Sequence, residues 1–484
     1  MRLLGFGMEW ALGGIGLIRN DLALVLRLVL ALAVTVHVLL RKREVGSAFG
    51  WIGLAWITPI VGSVLYFLLG INRVQRRARQ LRSQLSRPRG LTAAAAEQGG
   101  QRDDHLAPLE HAVGRITGRQ SLPGNTLVPL HNGEQAYPRM LAAIEQAERT
   151  LLLSTYILRD DAAGAPFIDA LIAAQVRGVA VRVLVDGVGS GYFLSPAYHR
   201  LHRAGVPVAR FMHSLLPWRM PFLNLRTHQK VLVADGRVAF TGGMNIGAEN
   251  LVASNPPHPV RDTHFAVSGP VVAQLVECFA QDWQSVTSEE LDGDAWFPSL
   301  AEAGPATARV VNSGPDQDIE KIESVAGQAI ACARHSIRIA TPYFLPDERL
   351  ITALSGAALR GVKVEVVTPS ASNHRYVDWA TSANTPPLLA AGVRLWHSAA
   401  PFDHSKLMVV DDEWSLVGSA NWDMRSFRLN FELTVEVYNA DFAAIVTEAI
   451  RSRRHTRVTA ADLDARPVAA RLRDAAMRLM LPYL

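Results

Sequence analysis

The sequence predicts an α/β protein built of two duplicated α/β units that share one active site, preceded by an N-terminal two-helix transmembrane hairpin. Three observations predict it. One spacing occurs twice: His228-Gln-Lys230, four residues, Asp235, then Gly242-Gly-Met-Asn245, and again His404-Ser-Lys406, four residues, Asp411, then Gly418-Ser-Ala-Asn421. The segments around the two motifs repeat in the same order. Two long apolar runs lie near the N-terminus.

Residues 22–40 are interrupted only by Arg27 and His37, and residues 46–70 carry no charge but include Trp51, Trp56 and Tyr66. Each run can cross an apolar layer about 30 Å thick. Arg41-Lys-Arg-Glu44 leaves room only for a tight connection, so a hairpin is expected. A cleaved signal peptide fits less well, because the second run would still anchor the product. Arg27 lies near one end of its run and can snorkel, and His37 is read as interfacial. Arg73, Arg76, Arg77, Arg79, Arg82, Arg87 and Arg89 follow the second run, against Arg2 and Arg19 before the first. That excess places both termini in the cytoplasm, with Arg41, Lys42 and Arg43 as the dissenting signal. The same arginines would meet anionic lipid headgroups or serve as a solvated linker.

A chain of 484 residues with 49% hydrophobic content can bury more than one core. We expect a membrane anchor over 1–72, a basic linker over 73–120, a first catalytic unit over 121–300 and a second over 301–484. The net charge of +5 does not by itself argue for nucleic acid. Cys278 and Cys332 imply no disulfide framework and lack metal-ligand spacing, so both are read as small core residues. Residues 468–484 interleave Arg471, Arg473 and Arg478 with Leu472, Met477, Leu479, Met480 and Leu481. This amphipathic segment either lies on a membrane surface or packs on the catalytic body.

Within the duplicated region, Ala143-Ile-Glu-Gln-Ala147 precedes an apolar strand, as does Ala329-Ile-Ala-Cys-Ala333. Arg177-Gly-Val-Ala-Val181 and Arg360-Gly-Val-Lys-Val364 then place a helix-ending glycine ahead of a β-branched run. Ala204-Gly-Val206 and Ala391-Gly-Val393 lead into the two motifs. Strands alternating with helices predict a largely parallel sheet with helices on both faces.

On an extended strand residues i and i+2 share a face, so each His-x-Lys presents an imidazole beside an ammonium. Val231-Leu-Val-Ala234 and Leu407-Met-Val-Val410 read as buried strands ending at acidic turns, and Asp235-Gly236 is a hairpin signal. The small residues before Asn245 and Asn421 let backbone approach an anion, and each asparagine offers an amide donor. Phosphate is the natural guest. Near neutral pH an imidazole can attack phosphorus or move a proton, and two imidazoles cover both duties. Lys230, Lys406, Asn245 and Asn421 would hold phosphoryl oxygens and offset charge in the transition state. No metal or other cofactor is then required, and H-E-x-x-H and P-loop patterns are absent. Asp235 and Asp411 are candidates for chemistry or for holding the turn in which they sit. Glu249 and Glu432, four and eleven residues beyond the motif asparagines, are candidates to orient an imidazole.

The doubled H-x-K-x4-D pattern with its downstream glycine-rich asparagine resembles the phospholipase D superfamily. The resemblance covers about residues 124–484. It implies two halves packed about a pseudo-twofold axis, with His228 as nucleophile forming a phosphohistidine and His404 as acid and base. The near-equivalence of the motifs leaves the reverse assignment open. A narrower resemblance, to the bacterial cardiolipin synthases of that superfamily, rests on four phrases. These are Pro59 with Tyr66, Gly70, Asn72 and Arg73; Arg261-Asp-Thr-His264 with Ser268-Gly-Pro270; Thr341-Pro-Tyr-Phe344 with Pro346-Asp347; and Asn421-Trp-Asp-Met-Arg-Ser-Phe427 through Asn430-Phe-Glu432. It implies transfer of a phosphatidyl group between two phosphatidylglycerol molecules at the bacterial inner membrane, giving cardiolipin and glycerol. Arg226-Thr-His-Gln-Lys230 and Pro401-Phe-Asp-His404 depart from the usual motif contexts, and 370–384 lacks an aspartate expected near Asn373. A phospholipase D-type hydrolase is the alternative. A membrane-tethered nuclease is disfavoured by the paired apolar runs, and a non-catalytic scaffold by two intact motifs. The sequence leaves headgroup preference and oligomeric state open.

Overall fold

The computed structural model describes residues 24–42, 45–67, 103–213, 225–315 and 318–480. The chain divides into two compact units after Arg76. In the first, helix Leu24–Arg41 is long and apolar enough to cross a membrane, with a mean hydropathy of 2.1. The second apolar run forms two helices, Val45–Ile57 and Pro59–Leu65, divided at Thr58. Proline has no N–H with which to continue the helical ladder, so the single crossing expected over 46–70 is interrupted there. Trp56 Nε1 donates to Thr35 Oγ1 at 3.0 Å, and Tyr66 and His37 are hydrogen bonded at 2.7 Å. The arginine cluster over 73–89 lies outside the described residues.

The second unit is organised by one sheet. Counting strands of three residues or more, its first half contributes β1 (Leu122–His131), β2 (Thr150–Thr155), β3 (Ala180–Asp186), β4 (Val208–Phe211), β5 (Val231–Ala234), β6 (Val238–Gly242) and β7 (Thr263–Ser268). Its second half contributes β8 (Ala306–Ser313), β9 (Ser336–Ala340), β10 (Lys363–Pro369), β11 (Arg394–Ser398), β12 (Leu407–Val410), β13 (Trp414–Gly418), β14 (Asn430–Tyr438) and β15 (Thr456–Val458). The order is β15-β11-β10-β9-β12-β13-β14-β8-β1-β7-β6-β5-β2-β3-β4. Outward from the β1–β8 seam the two halves run through equivalent strands, and β15 extends one edge. The seam itself is antiparallel.

The sheet is mixed, where alternation of strand and helix predicted a largely parallel one. β2, β3 and β4 are parallel neighbours, as are β9, β10 and β11. β5 and β12 are antiparallel to the strands on both sides. The turns explain this. Asp235 and Gly236, and likewise Asp411 and Asp412, have positive φ within loops of three residues that join the paired Ala234 and Val238 and the paired Val410 and Trp414, and so short a connection can join only antiparallel strands.

Residue alternation along the motif strands sorts side chains into layers. Val231, Val233, Leu407 and Val409 enter one core that spans both halves, with Phe279 and Trp283 of helix Val271–Thr287 and Phe442 and Val446 of helix Ala440–Arg451. Leu232 and Ala234 face a core private to the first half, and Met408 and Val410 one private to the second. The stretch expected as linker ends in a helix, Ala107–Thr117, built into the second half's core through Leu106, Leu109 and Val113. Leu109 and Val113 are four apart, so they share a helical face. The C-terminal helix Val468–Arg478 lies on helix Arg375–Asn384. Arg473 sits 4.2 Å over the Trp379 ring, and Asp474 is buried between Arg466 and Arg473, while Leu472 and Leu479 face outward.

Leu109 is fully buried, so Leu109→Ala should cost about 2–5 kcal/mol of stability. Thermal unfolding of the full chain in detergent reads this, and an unchanged melting temperature would remove the helix from the core.

Candidate active site

Each motif histidine is delivered by a short ladder to the opposite half. Arg226 and Thr227 pair in parallel with Asn430 and Phe431, and His228 N donates to Phe431 O at 2.8 Å. Phe402 and Asp403 pair in the same way with Val260 and Arg261, and His404 N donates to Arg261 O at 2.7 Å. The His-x-Lys residues therefore lie just ahead of β5 and β12, where the chain changes partner, rather than within those strands. Asp186 steadies the first approach by accepting from Thr227 N at 2.9 Å.

The two imidazoles meet at the junction of the halves, ring centroids 6.3 Å apart and planes at 81°. Each is held by a carboxylate from the other half. Glu432 Oε2 lies 3.0 Å from His228 Nδ1, and Asp262 Oδ2 lies 2.9 Å from His404 Nδ1. A carboxylate only accepts, so each ring carries hydrogen on Nδ1 and keeps its lone pair on Nε2. The carboxylates are themselves fixed. Ser419 Oγ donates to Glu432 Oε2 and Asn430 Nδ2 to Glu432 Oε1, while Thr263 N donates to Asp262 Oδ1. At the position equivalent to Ser419 stands Gly243, where a Cβ would meet both Asp262 oxygens at 2.7 Å and the His404 carbonyl at 3.0 Å. Glycine is needed there because the shorter aspartate brings its carboxylate against the backbone.

Lys230 Nζ donates to the His228 carbonyl at 2.6 Å, and Lys406 Nζ makes the corresponding bond to the His404 carbonyl. The side-chain oxygens of Asn245 and Asn421 are buried and meet no hydrogen-bond partner among the described residues. Bonding capacity is thus held open around the imidazole pair. Tyr156 covers His228 at 5.1 Å between centroids, and Tyr343 lies 6.4 Å from His404.

Burial dominates the electrostatics. It lowers Lys230 to about 7, with the Lys406 charge assisting, and Lys406 to about 8. His228 is lowered to about 4 by burial and the two ammonium groups against the pull of Glu432, and His404 falls well below its usual range for related reasons. Burial raises Asp262 to about 6; it also acts to raise Glu432, but His228, Lys230 and Ser419 outweigh it and hold that carboxyl low. Two cations withdrawn from water beside two neutral imidazoles form a cleft that gains from an anion. A phosphodiester placed there would restore the lysine charges and make the imidazoles more basic.

The other sequence candidates fall elsewhere. Asp235 accepts from the backbone N–H groups of Glu148, Arg149 and Thr150, and Asp411 from those of Arg334, His335 and Ser336. Asp411 also meets His105 Nε2 at 2.8 Å. Neither aspartate bonds a motif imidazole, so the catalytic role considered for them gives way to fixing the loops that enter β2 and β9. Glu249 is corrected as well: it pairs with Arg159 at 3.0 Å and orients no histidine. The residue that does so is Asp262. Aligning the two halves by strands would have found it, since Asp262 and Glu432 each stand two residues ahead of the residue that pairs with the motif glycine, His264 with Gly242 and Thr434 with Gly418. Counting from the motif asparagines misplaces it because the intervening loops differ in length. Among the described residues no group of three or more His, Cys, Asp or Glu side chains is gathered to hold a metal ion.

A family described as "Cardiolipin synthase, PLD-like domain" matches residues 140–283 and 327–454. The chain belongs to this family. A second family, "Phospholipase_D-nuclease N-terminal", matches residues 29–70. Among the relatives of this PLD-like cardiolipin synthase family member, a cardiolipin synthase of Geobacillus kaustophilus is 34% identical, covering 92% of this chain and 90% of its own. Another, of Alkalihalophilus pseudofirmus, is 32% identical over 99% of this chain and 96% of its own. The fold is also that of the phosphatidylserine synthase of Haemophilus influenzae, with a TM-score of 0.57 at 15% identity, covering 74% of this chain and 95% of that one.

Gly243→Ala should displace Asp262 and tilt His404, lowering kcat for phosphodiester transfer roughly hundredfold, as a displacement near 1 Å can. Steady-state kinetics on lipid vesicles beside a melting curve read this. A folded variant with unchanged kcat would break the proposed link between Gly243 and the imidazole.

Proposed function

We propose that this chain transfers a phosphatidyl group from one phosphatidylglycerol to the free hydroxyl of a second, giving cardiolipin and glycerol through a phosphohistidine. The observation that carries the proposal is the pair of imidazoles 6.3 Å apart, each backed by a carboxylate and flanked by a lysine. That arrangement can place one nitrogen on each side of a phosphorus atom, as in-line displacement requires.

His228 attacks phosphorus through Nε2. Positive charge then grows on its ring, and Glu432, held ionised, stabilises it. Lys230, Lys406, Asn245 and Asn421 serve the non-bridging oxygens. His404, made more basic by the bound phosphodiester and Asp262, takes up a proton at Nε2 as the substrate enters, gives it to the departing glycerol oxygen and later takes one from the incoming hydroxyl. Asp262, with a pKa of about 6, suits an imidazole that changes charge twice per turnover. This contrast between the carboxylates supports His228 as nucleophile.

The apolar N-terminal unit would act as a membrane hairpin whose second limb is broken at Pro59, with both termini on the cytoplasmic side, drawing support from helix Leu24–Arg41 and from the arginine-rich sequence after residue 72. A tethered cleft meets both lipids at high effective concentration.

Incubated with vesicles of phosphatidylglycerol alone, the chain should yield cardiolipin and free glycerol, and His228→Ala or His404→Ala should abolish both. Phosphatidic acid without cardiolipin would reassign it as a hydrolase. The pH profile follows from the shifts. Lys230 and Lys406 act as cations and lose their protons as pH rises through about 7 and 8, so kcat/KM should decline on that alkaline limb. The acid limb should lie below the usual imidazole range, because His228 accepts a proton only near 4. A rate still rising through pH 9 would contradict this.

A further inference from the structure

The proposed reaction has a symmetric part and an asymmetric part. At the reacting phosphorus an imidazole, a lysine and an asparagine from each half are related by the pseudo-twofold axis. The second lipid breaks the symmetry, since it carries its own phosphodiester three carbons from the hydroxyl that attacks. A cleft adapted to two such lipids needs one more cation, on one side only.

The structure has one. Arg226 stands two residues ahead of His228 on the ladder with Asn430 and Phe431. Alternate residues of an extended segment share a face, roughly 6–7 Å apart, so the guanidinium starts from the same face as the imidazole. Arg226 is half-buried. Its Nη1 donates to the Leu225 carbonyl at 3.0 Å, which leaves other donors of the fork. Among the described residues no carboxylate lies within ion-pair distance of it. It sits beside the hydroxyl of Tyr156, whose ring covers His228. The equivalent residue of the other half is Phe402, an apolar ring 5.9 Å from His404 and 6.1 Å from Tyr343. The buried Asp186 carboxylate acts on this guanidinium through space but makes no ion pair with it, so its planar fork stays available and matches a phosphodiester.

Resting on the reading of function above, we propose that Arg226 holds the phosphodiester of the acceptor lipid. The acceptor hydroxyl oxygen then forms a bond to phosphorus, the phosphorus–nitrogen bond to His228 breaks, and the proton passes to His404. Arg226 acts on selection of the acceptor, not on the bond changes.

The test compares two acceptors in one incubation. The full chain is mixed with phosphatidylglycerol vesicles and labelled glycerol in the aqueous phase. Cardiolipin forms when the acceptor carries a phosphate, and label enters phosphatidylglycerol when the acceptor is glycerol itself. Arg226→Gln should lower the ratio of cardiolipin to exchanged label about tenfold to hundredfold, the loss of one or two charge-assisted hydrogen bonds. Arg226→Lys, keeping the charge without the fork, should fall between. An unchanged ratio, even with both rates reduced, would overturn the assignment. Absence of both products from the unmodified chain would instead overturn the reading of function on which it rests.

Discussion

The exchange of carboxylates between halves is the constraint on which the site depends. His228 is fixed by Glu432 and His404 by Asp262, so neither half contains a complete imidazole–carboxylate pair. The backbone repeats the exchange, since each histidine N–H is bound by the carbonyl just before the opposite carboxylate residue. The β1–β8 seam and the core shared by helices Val271–Thr287 and Ala440–Arg451 hold this crossing in register. A shift between the halves would disturb both imidazoles together.

Burial gives the site its appetite for anions. Lysines in water would be saturated cations with little to gain from a phosphate. Withdrawn into the junction beside each other, they gain a great deal, and the same withdrawal keeps the imidazoles neutral with a lone pair available. The carboxylates are unequal, Asp262 raised and Glu432 held down, so two nearly equivalent motifs furnish distinct environments.

Much of this was legible in the chain. The spacing from His228 to Asn245 and from His404 to Asn421 marked duplication, and the four-residue apolar runs marked the strands at the middle of each half. What stayed hidden depends on contacts made across long sequence distances. Asp262 and Glu432 stand at different separations from their motifs, so only the sheet register relates them. Asp235 and Asp411 look catalytic by proximity in sequence, yet a hairpin carries them to backbone N–H groups at the entry to β2 and β9. The helix Ala107–Thr117 was submerged in a stretch whose arginines and alanines suggested a linker. Pro59 stands in plain view, but hydropathy alone does not register the break that it makes in the helical ladder.

The continuous sheet has a consequence for divergence. An assembly of two separate copies of one half would be obliged to carry identical side chains on either flank of its axis, and any improvement to one flank would be imposed on the other. Covalent fusion through a single seam lifts that obligation. Gly243 can stand opposite Ser419, and Arg226 opposite Phe402, so a scaffold that repeats one strand order is free to serve a reaction whose two participants play opposite parts.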